Sequence, residues 1–214
     1  MALMAPVVHY PLHQATLDNG LRVIVNPDPS VPVVAVNLWY DVGSRDERPG
    51  RTGLAHLFEH LMFEGSANVT SGEHLATVQS VGGSANATTW FDRTNYFETV
   101  GPQALDLALW LEADRMSGLN VDQNNLDTQR EVVKEEKRQR YDNQPYGDLL
   151  QLLTAQHFAP EHPYGHLTIG SMADLDDASL GDVAGFFDAW YRASNVRLVL
   201  CGPIDPDEGF ALAD

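Results

Sequence analysis

Residues 52–66 read TGLAHLFEHLMFEGS, and within them His56, Glu59 and His60 stand among apolar neighbours. On a helix, positions i and i+4 lie one above the other and i+3 lies beside them. Both imidazoles can then aim a ring nitrogen at one point, with the Glu59 carboxylate a short reach away. Neutral imidazole is a good ligand for Zn²⁺, and two rings one turn apart suit half of a tetrahedral site. Glu59 is placed to take a proton from a water that the metal acidifies. Leu57, Phe58, Leu61, Met62 and Phe63 are expected to keep bulk water away.

A zinc site with chemistry to do needs a third protein ligand and one open position. His9, His13, His74, His157, His162 and His166 are candidates, with many carboxylates. His162 and His166 form a second pair in HPYGH, but Pro163 and Gly165 break the helix that would align them. The acidic stretch REVVKEEKRQR, residues 130–140, offers more. Glu136 follows Val132 and Val133 by about one turn and shares their apolar face, whereas Glu135 has Glu131 and Arg138 as neighbours and reads as a solvated ion-pair position. Geometry favours Glu136.

The elements that must position these residues can be read in outline. Asn19-Gly20 between apolar runs signals a hairpin, with a strand after Gly20 and a second in VVAVNLWYDV. A polar, glycine-rich loop delivers the chain to a helix over about 52 to 63, which Gly65 ends. Thr70 with Glu73 forms a capping box for a helix to about 81. GGSANATTWFD and TNYFETVG read as strands joined at Asp92-Arg93. Pro102 opens a long helix, and Asp122 or Asn125 starts the next. GDLLQLLTAQHF continues helically, Ser179 caps a helix to about 191, NVRLVLCG is a last strand, and DPDEGFALAD opens a final helix. Strands and helices mix without regular alternation, which gives an α+β class: an antiparallel or mixed β-sheet packed by helices.

Bulk properties narrow the function. The 214 residues suffice for a single domain, and the final helix looks unfinished, as though the sequence were cut from something longer. Thirty acidic against thirteen basic residues leave a formal charge of −17, which argues against nucleic acid and against an anionic membrane surface. That charge suits metal ions or basic peptides. No run is apolar for the roughly 18 residues of a membrane span. The N-terminus MALMAPVVHYPLHQ lacks signal-peptide character, so the expected compartment is cytoplasmic, or periplasmic if a signal has already been removed. The single Cys201 allows no internal disulfide and reads as a small core residue.

H-x-x-E-H is the inverzincin pattern, and here the likeness runs further. GLAHLFEHLMFEGS resembles the active-site helix of the pitrilysin/insulinase family of zinc peptidases, in its bacterial branch related to mitochondrial processing peptidase. LDNGLRVIVNPDPSVPVVAVNLWYDVGSRDE, VGGSANATTWFDRTNYFETV, REVVKEEKRQRYDNQPYGDL, HPYGHLTIG and VRLVLCGPIDPDE are similar too, so the resemblance covers almost the whole chain. It implies that His56 and His60 hold one Zn²⁺ per site, that Glu59 is the catalytic base, and that Glu136, 76 residues after His60, is the third ligand. It also implies that SANATTW is an edge strand that grips an extended peptide, with Asn86 and Ala87 in contact. Relatives often carry a supporting glutamate where this chain has Gln129, a change that removes a charge beside the site. The resemblance implies a second homologous domain or subunit, closing as a clam-shell in a homo- or heterodimer, of which these residues would be the N-terminal metal-bearing part.

The expected activity is a zinc-dependent endopeptidase acting on short or unfolded peptides, poorly active as 214 residues alone. One rival is a non-catalytic or assembly subunit that retains the metal, although silent halves usually lose the motif kept here. The other is a metal-binding domain with different hydrolytic chemistry.

Overall fold

The computed structural model describes residues 10–214; the N-terminal leader reading and His9 fall outside the described residues. The Asn19-Gly20 turn joins β1 (His13–Thr16) to β2 (Arg22–Pro27), closed by Leu17 N–H to Leu21 O at 2.9 Å. β3 spans Val34–Tyr40, β4 Ser84–Thr89, β5 Thr94–Val100 and β6 Val196–Gly202. The helices are α1 (Leu54–Leu61), α2 (Glu73–Ser80), α3 (Leu105–Ser117), α4 (Gln123–Lys137), α5 (Leu149–His157), α6 (Met172–Asp176), α7 (Leu180–Trp190) and α8 (Pro206–Ala213).

The six strands form one mixed sheet in the order β1-β2-β6-β3-β5-β4. Among the described strands only β2 and β6 run parallel; β6 returns from the far end of the chain and slots between β2 and β3. One face of the sheet is buried. Val34, Val36, Leu38 and Tyr40 point into it from β3, alternating with exposed Ala35 and Trp39. Val196, Leu198 and Leu200 do the same from β6. This period of two is the signature of a sheet covered on one side. Cys201 falls on the opposite face, half-exposed beside Asn26, so it is not the core residue its apolar surroundings suggested.

Local chemistry sets the element ends. Helix α1 is shorter than expected because Gly53 is left-handed (φ +89°) and Thr52 is tied to Asp174 at 3.0 Å. The Thr70/Glu73 box is half made: α2 begins at Glu73 itself, whose carboxylate reaches back to the Thr70 N–H at 2.9 Å. Pro102 opens a single 3₁₀ turn ahead of α3. Asp122 and Ser179 cap α4 and α7 as expected. The short α6 shows no period, and its one sequence signal is the Ser171 N-cap, whose hydroxyl accepts the Asp174 N–H at 3.0 Å.

Beside β5 lies a buried polar cluster. Arg115 Nε donates to Glu112 at 2.9 Å, and its guanidinium lies 4.3 Å from the Tyr96 ring and 5.1 Å from Phe63. His74 Nε2 sits 2.6 Å from Glu98. Removing one member of a buried ion pair leaves an uncompensated charge. Arg115→Met is therefore expected to cost about 3–5 kcal/mol, and adding Glu112→Leu to recover most of it. Urea denaturation of the two variants checks this; equal stabilities would contradict it.

Candidate metal centre

His56 and His60 lie on the face of α1 that meets α4, while Leu57, Phe58 and Leu61 have no exposed surface and Met62 almost none. Those apolar side chains root the helix in the core and do not wall the cleft; of the apolar residues expected to do so, Phe63 alone borders it. Phe58 packs 4.4 Å from Tyr191 and 5.4 Å from Phe186. Helix α4 presses its buried Leu126 and Val133 inward. Val132 is 44% exposed, so the inward face that carries Glu136 runs through Val133 and Gln129 instead.

The result brings three ligand atoms together. Glu136 Oε2 lies 3.6 Å from His56 Nε2 and 3.5 Å from His60 Nε2. A tetrahedral Zn²⁺ with bonds of 2.0–2.2 Å requires ligand atoms about 3.4 Å apart. Both of those separations match the ion, and all three atoms lie within 4.8 Å of one another, so the donor set fits it. Glu135 points away and pairs with Arg138 and Gln139, at 3.0 Å each. Among the described residues a second cluster, His74, Glu98 and Glu112, also converges. There Arg115 already neutralises Glu112 from within the core, so a cation has little to gain.

Further groups aim the ligands. Gln129 Nε2 donates to Glu64 at 2.6 Å, which fixes its amide so that Oε1 faces His60 Nδ1 at 3.2 Å. Nδ1 must then carry the proton, leaving the Nε2 lone pair for a metal. The charge missing at position 129 is thus supplied one step further out by Glu64, a contact the sequence did not reveal. Arg140 holds the other Glu136 oxygen at 2.7 Å and leaves Oε2 as the single free ligand atom. Glu59 is 9% exposed, and Thr89 Oγ1 donates to its Oε2. Thr89 was also missed, because only the pairing of β4 beside α1 brings it there.

Protonation follows burial and charge. Burial pulls His56 down to about 4, with the neighbouring His60 adding to the effect. For His60, burial opposes the charged ring, but the Glu136 hydrogen bond and the Glu59 charge outweigh it and raise the pKa. Glu136 is held low, first by that same hydrogen bond. Glu59 is raised, chiefly by burial, towards the range in which a carboxylate works as a base.

These residues line a cleft of about 740 Å³, bounded on one side by Ala85–Trp90 and on another by Thr168 and Ile169. Strand β4 is the last in the sheet, so one of its edges is unpaired. Asn86 is exposed and its Oδ1 accepts the Ala87 N–H at 2.8 Å, while Ala87 itself is nearly buried. Three glutamates and two arginines line the cleft, so the overall −17 is not concentrated there.

Among the described residues, the other histidines lie elsewhere. His166 meets Glu47, His162 stacks on Phe158, His157 bonds the Leu153 carbonyl, and His13 starts the edge strand β1.

With this geometry in view, comparison with known proteins is direct. Residues 22–168 match the insulinase family of peptidases, peptidase family M16, and the chain belongs to that family. It is 36% identical over 207 residues to the zinc protease PqqE of Helicobacter pylori, spanning 96% of this chain and 46% of that protein. An uncharacterized zinc protease of Mycobacterium leprae is 32% identical over 199 residues, 93% of this chain and 44% of that one. Among solved structures, a protease from Helicobacter pylori superposes with a TM-score of 0.92 at 35% identity, covering 95% of this chain and 49% of the other. Pitrilysin superposes at 0.84 with 25% identity, covering 97% of this chain and 22% of that chain. The chain thus spans about half the length of the zinc proteases it matches. No helix among the described residues is long and apolar enough to cross a membrane.

The Glu136 carboxylate favours the charged His60 ring, protonated at Nε2 as well as Nδ1, so zinc binding at Nε2 would displace a proton. The raised His60 pKa sets the sign: uptake releases protons, and affinity falls as pH drops. Calorimetric titration with zinc between about pH 5.5 and about pH 7.5, in buffers of different ionisation enthalpy, should show both. A pH-independent affinity would contradict it.

Proposed function

We propose that the chain is the metal-bearing domain of a zinc-dependent endopeptidase that cuts short or unfolded peptides. The observation that carries this reading is the meeting of two imidazole nitrogens and one carboxylate oxygen at tetrahedral spacing beside a buried, raised glutamate. His56, His60 and Glu136 would hold one Zn²⁺. Bound there, zinc supplies Lewis acidity towards a water and a substrate carbonyl.

The remaining work falls to side chains of this chain. Glu59 accepts the water's proton and returns it to the departing amine. Thr89 fixes the Glu59 carboxylate through Oε2, leaving Oε1 free for the proton. The open edge of β4 pairs with an extended peptide, and Asn86 must release the Ala87 N–H for that backbone to bind. Gln129 and Glu64 hold the His60 tautomer. Main-chain pairing requires an unfolded stretch but little sequence, which suits a processing or degradative peptidase. The near-balanced charge of the cleft lends no support to a preference for basic peptides.

Matching only about half of its relatives supports a second homologous domain or subunit that closes over this cleft, giving a clam-shell whose pairing is homo- or heterodimeric. The rival reading, a silent subunit that merely binds metal, is disfavoured by the buried Glu59, which zinc binding alone does not need.

Two variants separate these readings. Glu59→Gln should keep zinc content while losing at least about 100-fold in peptide turnover; unchanged turnover would favour another chemistry. Glu136→Gln should weaken zinc binding by at least about 100-fold and Glu135→Gln should leave it intact, measured by chelator competition. Damage from Glu135→Gln alone would overturn the ligand set.

A further inference from the structure

His166 closes the HPYGH segment and takes no part in the metal centre. Its Nε2 lies 2.8 Å from Glu47 Oε2 and 3.1 Å from the Ser44 carbonyl. The Glu47 side chain has no exposed surface. Its Oε1 accepts the Ala55 N–H at 2.8 Å and its Oε2 the Gly53 N–H at 3.0 Å. Those amides open α1 immediately ahead of His56, and α1 has no side-chain cap of its own. Glu47 therefore caps the metal helix from an earlier turn of the chain, where helix amides and the helix dipole favour an anion. A buried carboxylate also needs a counter-charge, and His166 supplies it. Burial raises the Glu47 pKa, and the Glu47 hydrogen bond raises that of His166, as expected for such a pair.

The same loop reaches two other places. Beyond His166, Thr168 and Ile169 form a wall of the cleft, and Gly170 lies so close to Gly53 that a Cβ would sit 2.4 Å from the Gly53 Cα. Ahead of it, Tyr164 Oη donates to Asp92 at 2.5 Å and its ring packs 5.2 Å from Phe91. Phe91 and Asp92 belong to the turn that ends the open strand β4. Arg45, two residues before Glu47, also donates to Asp92 at 3.1 Å. The 41–47 turn and the 164–170 loop thus meet at both ends: at the start of α1, and at the end of β4.

We propose that the 164–170 loop is a clasp that fixes α1 in register with β4, with His166 and Glu47 as positioning residues. The proposal rests on the peptidase reading above. A peptide laid along β4 presents one bond to the metal helix, and its alignment is set by how helix and strand are held together. Neither His166 nor Glu47 touches the peptide; both act by holding the first turn of α1. A misplacement of about 1 Å at a reacting centre suffices to lower turnover sharply while leaving peptide affinity to the strand.

The test compares wild type, His166→Ala and His166→Gln in the full-length protein. His166→Ala should keep its zinc and hold KM within about two-fold, while kcat falls between about ten- and about a hundred-fold. His166→Gln retains an N–H donor for Glu47 and should recover most of kcat. Hydrogen exchange at the Gly53 and Ala55 amides should quicken in His166→Ala and not in α3. Two results would overturn the clasp: wild-type kcat and exchange in His166→Ala, or equal loss of zinc, KM and kcat in both variants, which marks a scaffold role only. A wild type that cleaves no peptide would sink the peptidase reading itself, and the exchange data then judge the clasp alone.

Discussion

One carboxylate oxygen held between two imidazole nitrogens, Glu136 Oε2 at 3.5 and 3.6 Å, is the constraint on which the rest depends. Its distance from the rings is set by how closely α4 approaches α1, with Leu126 and Val133 seating α4 in the core and Leu57, Phe58 and Leu61 seating α1 there. Interiors this dense tolerate little drift. Core residues therefore fix the separation of the ligand atoms, and the polar face inherits that accuracy.

Neighbouring residues on one helical turn end up with opposed tasks because their surroundings differ. His60 leans on Glu136, Gln129 and Glu64, and its ring is oriented by them. Glu59, its neighbour in sequence, faces the β4 side, where burial makes the charged form costly and the Thr89 hydrogen bond, with the His60 and Arg93 charges, offsets only part of that cost. The strand that supplies Thr89 is also the strand with a free edge. An unpaired edge is a hazard for a folded protein; this one borders the cleft that Thr168 and Ile169 also line. The proposed base and the unpaired strand edge are thus parts of one structural unit.

Much of this was legible in the sequence. The i, i+4 spacing of His56 and His60 holds in any helix, and the helix face of α4 separated Glu136 from Glu135 even though Val132, half of that reasoning, turned out exposed. The hairpins at Asn19-Gly20 and Asp92-Arg93 and the caps at Asp122 and Ser179 are local chemistry and were readable as such. What stayed hidden was long-range. Nothing near residue 196 announces that β6 inserts between β2 and β3 with one parallel neighbour. Thr89 reaches Glu59, Glu64 reaches Gln129, and His166 reaches Glu47 only through the fold. Cys201 was misjudged because an apolar run in a sheet with one covered face need not be buried on both sides.

The most direct test of the central claim is a crystal structure of the zinc-loaded full-length protein with anomalous data at the zinc edge. The peak should lie about 2.0–2.2 Å from His56 Nε2, His60 Nε2 and Glu136 Oε2 together. A peak coordinated by Glu135, or one seated between His74, Glu98 and Glu112 with the α1 histidines bare, would contradict it.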